Sequence, residues 1–181
     1  GPEAANPNFD ATGNCSADVK HPGSPVARRL TNLEYFNSID DVLDVEAYDL
    51  ASRLPDESRT EGFRNAARAQ NPSGPRIDQY AAIAKRIADR LEGRNWQDGD
   101  HVDCTIEDES CRRDFVRHWG RRLFRRPVTD DEVSRFGRLF EVVRAEGDGF
   151  ERGARLVIEA LLQSPQFLYR LEPTSPRVEL P

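Results

Sequence analysis

Two short strings constrain this chain more than anything else in it: Thr31 with Glu34 in "RRLTNLEYFNSIDDVL", and Thr129 with Glu132 in "RRPVTDDEVSRFGRLFEVV". In each, threonine stands three residues before glutamate at the head of an apolar stripe. A hydroxyl and a carboxylate so spaced satisfy each other's orphan amides at a helix start. Leu33, Phe36, Ile39, Val42 and Leu43 follow the first box at helical spacing and predict a helix over 32–44. Val133, Phe136, Leu139, Phe140 and Val143 follow the second, and Gly147 marks the exit.

The remaining stripes have the same period. Pro75 opens one made of Ile77, Tyr80, Ala81, Ala84, Ile87, Ala88 and Leu91, which Gly93 ends. Phe115, Val116, Trp119 and Leu123 predict a helix over 110–125, stopped by Pro127. Phe150, Ala154, Val157, Ile158, Leu161 and Leu162 form the broadest face, so the fifth helix is expected to be the most buried. Nothing alternates as a strand would. The expected fold is therefore all-α, a bundle of about five helices behind a disordered N-terminal arm. Its divisions are the arm at 1–26, a first helical unit at 27–107, a second at 108–172, and a linker at 173–181 to an absent downstream region. Residues 51–74 read as a long connection with room for one helical turn, and 94–109 as an acidic loop.

A length of 181 residues with 37% hydrophobic content allows one domain, or two small ones sharing a core. The net charge of -6 argues against general affinity for nucleic acid or acidic lipid. No apolar run approaches the roughly 20 residues of a membrane helix. The chain has no Met and opens Gly1-Pro2, which reads as a start created by cleavage, with any export signal already removed. Cys104 and Cys111 are close enough in sequence to bridge, two free thiols being the alternative, while Cys15 has no evident partner. A bridge would favour an oxidising compartment.

Catalytic constellations are not evident, and no catalytic, cofactor or metal residue is assigned. His21, His101 and His118 lack the short spacing of a zinc site, and no Cys-x-x-Cys-His string exists to attach haem. The acidic run Asp98, Asp100, Asp103, Glu107, Asp108 and Glu109 invites calcium, yet Val102 occupies a ligand place of the calcium-binding loop, so a solvated loop is the better reading. Asp40–Asp41 and Asp130–Asp131 are neighbours whose side chains diverge on a helix, not acid/base pairs.

The sharpest local feature is basic: Arg112, Arg113, Arg117, Arg121, Arg122, Arg125 and Arg126, interleaved with Phe115, Trp119 and Phe124. Lys20 and Lys85 are the sole lysines among 26 basic residues, so arginine is the general-purpose cation here. Internal and intersubunit ion pairs are expected first. Anion or glycan binding through Arg121, Arg122, Arg125 and Arg126 comes second, and nucleic acid third. At the end of the fifth helix Ser164-Pro165 acts as a stop, after which Phe167, Leu168 and Tyr169 are too apolar for a free tail. They are expected to dock on a core, this domain's or the next one's. With Arg170 they make up the expected partner interface.

Two blocks carry a family resemblance. "RRLTNLEYFNSIDDVLDV", then "LPDESRTEGFRNAA" and "IDQYAAIAKRIA", resembles a domain of unknown function with an R-R-L-T-x-x-E-Y helix. "CRRDFVRHWGRRLFRRPVTDDEV…FERGARLVIEALLQSPQFLYRLE" resembles a second, known by its F-R-R-P-[VL]-T and S-P-x-F-L-Y-R-x-E segments. Both occur in large secreted planctomycete and myxobacterial proteins that also contain planctomycete-type cytochrome c modules. The resemblance implies a secreted, periplasmic or cell-surface location. It also implies a longer polypeptide, in which any haem belongs to a downstream region and none to this chain. The expected role is a non-catalytic helical assembly or scaffold module of an exported multidomain protein, with room for a redox link. The expected partners are the downstream domains or a partner chain. One alternative is a part of an extracellular oxidoreductase or polysaccharide-acting enzyme whose active site lies elsewhere. The other is anion or nucleic-acid binding through the Arg-rich helix.

Overall fold

Both threonine boxes close as helix starts. In the computed structural model, which describes residues 27–57, 74–94, 96 and 104–170, α1 spans Asn32–Leu43 and α4 spans Asp130–Ala145. Thr31 accepts from the Glu34 amide and Thr129 from the Glu132 amide, and each glutamate returns to its cap's N–H. Between them lie α2 (Gly74–Arg90) and α3 (Glu109–Phe124), followed after α4 by α5 (Phe150–Gln163) and the single turn α6 (Pro165–Leu168). A short 3-10 helix, Tyr48–Arg53, follows α1. The expected arm at 1–26 with Cys15 and His21, the linker at 173–181, and His101 with Asp98, Asp100 and Asp103 lie outside the described residues.

The five long helices match the stripes, and α5 is the organising element. It packs on α2, α3, α4 and α6, as its broad apolar face requires. Such packing needs close approach, and Gly153 supplies it: a Cβ there would meet the Phe140 ring at 2.3 Å. Phe140 stacks on Phe150 at 5.1 Å and takes Phe115 edge-on at 5.8 Å. Leu30, Tyr35, Ile83, Leu123, Ile158 and Phe167, all fully buried, belong with these rings to one continuous core drawn from both halves of the chain. Residues 28–170 form a single compact unit.

The structure corrects three expectations. The buried face of α1 runs through Tyr35, Phe36, Ile39 and Leu43, leaving Leu33 more than half exposed. Tyr35 displaces it because ring partners from distant segments, Tyr80 at 5.1 Å and Phe167 at 5.5 Å, meet on that side. Ile77, in the first turn of α2, is 60% exposed. A strand pair also exists: β1 (Arg28–Arg29) runs antiparallel to β2 (Tyr169–Arg170), with Arg28 opposite Arg170 and the Leu30 amide donating to Leu168 O at 2.8 Å. Two residues are too few to alternate, so no period could announce them.

Cys104 and Cys111 lie at disulfide distance, with Cα atoms 5.7 Å apart. The clip closes on the head of α3, where Asp108 caps the Cys111 amide. From the same loop, Ile106 O accepts from buried Arg112, and Glu107 pairs with Arg144 at 3.2 Å. Trp96, from the segment read as an acidic loop, is buried in the core, and its ring meets Trp119 edge-on at 5.6 Å.

Candidate functional site

The arginines divide by what holds them. Arg28 forks onto Glu34 at 2.8 and 3.0 Å, and Arg126 forks onto Glu132 at 2.9 and 2.6 Å. Each arginine stands three residues before its capping threonine, so the same Arg–Thr–Glu clamp starts α1 and α4. The forked arginine is the main force holding both carboxyls down to about 2, helped by the cap's own hydrogen bonds. Because both lie below the ordinary value of 4.5, the clamps stabilise the fold above that pH. The contribution falls away as pH drops towards 2. Replacing Glu132 with Gln should cost about 1.5 kcal/mol at neutral pH, discounted for the half-exposed arginine. Urea denaturation across pH should show the variant and the parent converging near pH 2, and a pH-independent gap would refute the clamp.

Of the expected anion-binding set, Arg126 has its charge paired from within by Glu132. Arg125 is half-withdrawn as well: it donates to Phe167 O at 2.9 Å and lies 5.7 Å from that ring's centre. Arg122 stacks on Trp119 at 5.1 Å, and Arg94 reaches both tryptophans at 5.4 Å. Arg121 makes no ion pair among the described residues and is exposed. Arg113 and Arg117 meet Asp130 at 3.8 and 3.1 Å, and buried Arg112 meets Glu141 at 2.7 Å. The helix written as a basic stripe is for the most part knitted to its own acidic neighbours.

The exit segment divides too. Of the residues expected at a partner interface, Phe167 is fully buried in this chain's own core, against Tyr35 and under Arg125. Leu168 and Tyr169 are half-buried and Arg170 is exposed. Burial first, and then the charge of nearby Arg170, lowers the pKa of Arg125. Arg170 itself has no carboxylate within ion-pair distance among the described residues.

Beside this segment is a pocket of about 340 Å³ walled by Ile77, Pro165, Leu168 and Tyr169, with Arg29, Arg76, Tyr80 and Gln163 as its polar groups. It gathers the head of α2, the end of α5, α6 and both strands. Arg29, almost fully buried, donates to Tyr80 Oη at 2.6 Å and Leu30 O at 3.0 Å and faces Glu57 at 3.5 Å. Glu57 in turn accepts from the Asn32 amide at 2.9 Å. Sequence reading missed this site because its members are far apart in the chain: Arg29, Tyr80, Pro165 and Tyr169 lie in the family-like strings, yet nothing in those strings brings them together. The exposure of Ile77 within an otherwise buried stripe was the signal, visible once α2 was placed.

Among the described residues no group of three or more His, Cys, Asp or Glu is arranged to hold a metal. Cys104 and Cys111 are committed to each other, so the described residues offer no thiol pair for covalent haem attachment. No described helix is long and apolar enough to cross a membrane.

No curated protein and no solved structure matches this chain. Family comparison does: residues 28–92 match PSD3, a protein of unknown function (DUF1587), and residues 111–172 match PSD5, a protein of unknown function (DUF1595). The first match runs from β1 through α2 and the second from the disulfide to just past β2. The chain thus carries, in tandem, a match to DUF1587 and a match to DUF1595, and residues under both contribute to a common core.

Proposed function

We propose that this tandem is a helical assembly module of an exported multidomain protein, and that it engages an acidic partner region through the face around Leu168, Tyr169 and Arg170. The observation that carries this reading is the charge left over there. Arg170 is exposed without a carboxylate partner among the described residues, close enough to Arg125 to disfavour a second positive charge, and set beside half-buried apolar groups. An acidic, partly apolar surface would relieve that repulsion and cover Leu168 and Tyr169. The disulfide fits an oxidising compartment. Nucleic acid is disfavoured, because the net charge is -6 and Arg112, Arg113, Arg117 and Arg126 of the basic stretch already face carboxylates within the fold.

The test is light scattering after size exclusion, with the chain alone and mixed with the region that follows it in its precursor, while visible absorbance is recorded. A stoichiometric complex is expected, weakened about tenfold or more by Arg170→Glu and by added salt. Visible absorbance in the complex would place the redox link in the partner. A chain that stays monomeric beside that region would overturn the assembly reading.

A further inference from the structure

The pocket beside α2 contains an electrostatic mismatch of its own. Its walls are mainly aliphatic and aromatic, and small-molecule sites of about 300–1,000 Å³ are commonly built so, with a few polar groups to fix orientation. At about 340 Å³ it lies at the small end of that range. Of its two guanidinium groups, Arg29 is already served by Tyr80, Leu30 and Glu57. Arg76 is different. It is half-buried, no carboxylate lies within ion-pair distance of it among the described residues, and its one hydrogen bond is a 3.5 Å contact to Pro55 O. Its Nη1 has no hydrogen-bond partner among the described residues. Gln79, one turn of α2 further on, also has a buried Oε1 without a donor.

A cation on apolar ground with an unfilled N–H is costly unless an anion joins it. Tyr80 adds a second polar group: its hydroxyl accepts from Arg29, leaving its own proton to be donated. We infer that this pocket binds a small monocarboxylate with an aromatic or branched apolar body. The carboxylate would pair with Arg76, and the body would lie against Ile77, Pro165, Leu168 and Tyr169. One charge is the better match than two, because a dianion would bring a second charge among these walls with no cation left for it. A guanidinium also suits a planar carboxylate fork. The same pairing explains why Ile77 stays on the surface: it is a wall of the site, not a misplaced core residue.

This inference does not depend on the assembly reading, and the test uses the chain alone. Methyl carbon–proton NMR spectra are recorded while 3-phenylpropionate is added, and again with 3-phenylpropan-1-ol, its uncharged counterpart. Saturable shifts confined to the Ile77 and Leu168 methyls are expected with the acid. The alcohol should bind about tenfold more weakly, the difference one charge-assisted contact makes. Arg76→Gln should lose about the same factor, whereas Arg138→Gln on α4, outside the pocket, should bind as the parent does. Thermal melting confirms that each variant is folded. Arg76→Lys retains a charge but not the fork, so intermediate binding is expected from it. Absence of saturable shifts at millimolar acid would overturn the proposal, as would equal binding of acid and alcohol or undiminished binding by Arg76→Gln.

Discussion

Truncating Phe167 to alanine should destabilise the chain by about 4 kcal/mol, in the range measured for buried phenylalanines elsewhere. The side chain has no exposure, packs on Tyr35 at 5.5 Å, and lies under the Arg125 guanidinium. Removing it opens a cavity between α1 and α6 and leaves Arg125 over empty space. The effect should also be directional. Phe167 anchors the segment whose next residue, Leu168, accepts from the Leu30 amide, so hydrogen exchange at Leu30 should accelerate more than at α4 amides. A melting temperature lower by about 10 °C is expected. A loss under about 1 kcal/mol by urea denaturation would mean that the segment merely rests on the core and that Phe167 is available to a partner after all.

The second large effect comes from adding a single carbon. Gly153→Ala places a methyl 2.3 Å from the Phe140 edge, well inside contact distance, and the ring cannot retreat because Phe150 and Phe115 flank it. Overpacking of this kind costs about 3 kcal/mol, and alanine's better helix propensity returns at most about 1. A net loss of about 2.5 kcal/mol by urea denaturation is expected. Phe140→Leu should be harmful by itself yet partly corrective in the Gly153→Ala background, so that the double variant loses less than the sum of the two in a double-mutant cycle. Additive losses would show that α4 and α5 shift apart to accept the methyl.

The helices were legible because their signals are local. Thr31 and Glu34, or Pro127 after α3, act within one turn, and the apolar period needs no distant partner. What could not be read is which of two adjacent faces turns inward. Leu33 and Tyr35 are both plausible heads for the α1 stripe, and the choice was made by Tyr80 and Phe167, 45 and 132 residues beyond Tyr35 in the chain. The same holds for the arginines. Their abundance was plain, but that Arg126 is paired with Glu132 while Arg76 has no counter-ion among the described residues is a property of the packed chain. The pocket falls in this class entirely, since Arg29, Tyr80 and Tyr169 become neighbours through the strand pair and the docking of α2 on α5.

That strand pair has an architectural consequence. Because Arg28 faces Arg170 across an antiparallel ribbon, the chain enters and leaves this unit at one spot, a few ångströms apart and heading opposite ways. A unit tied at its neck in this manner adds almost no length between whatever precedes and follows it.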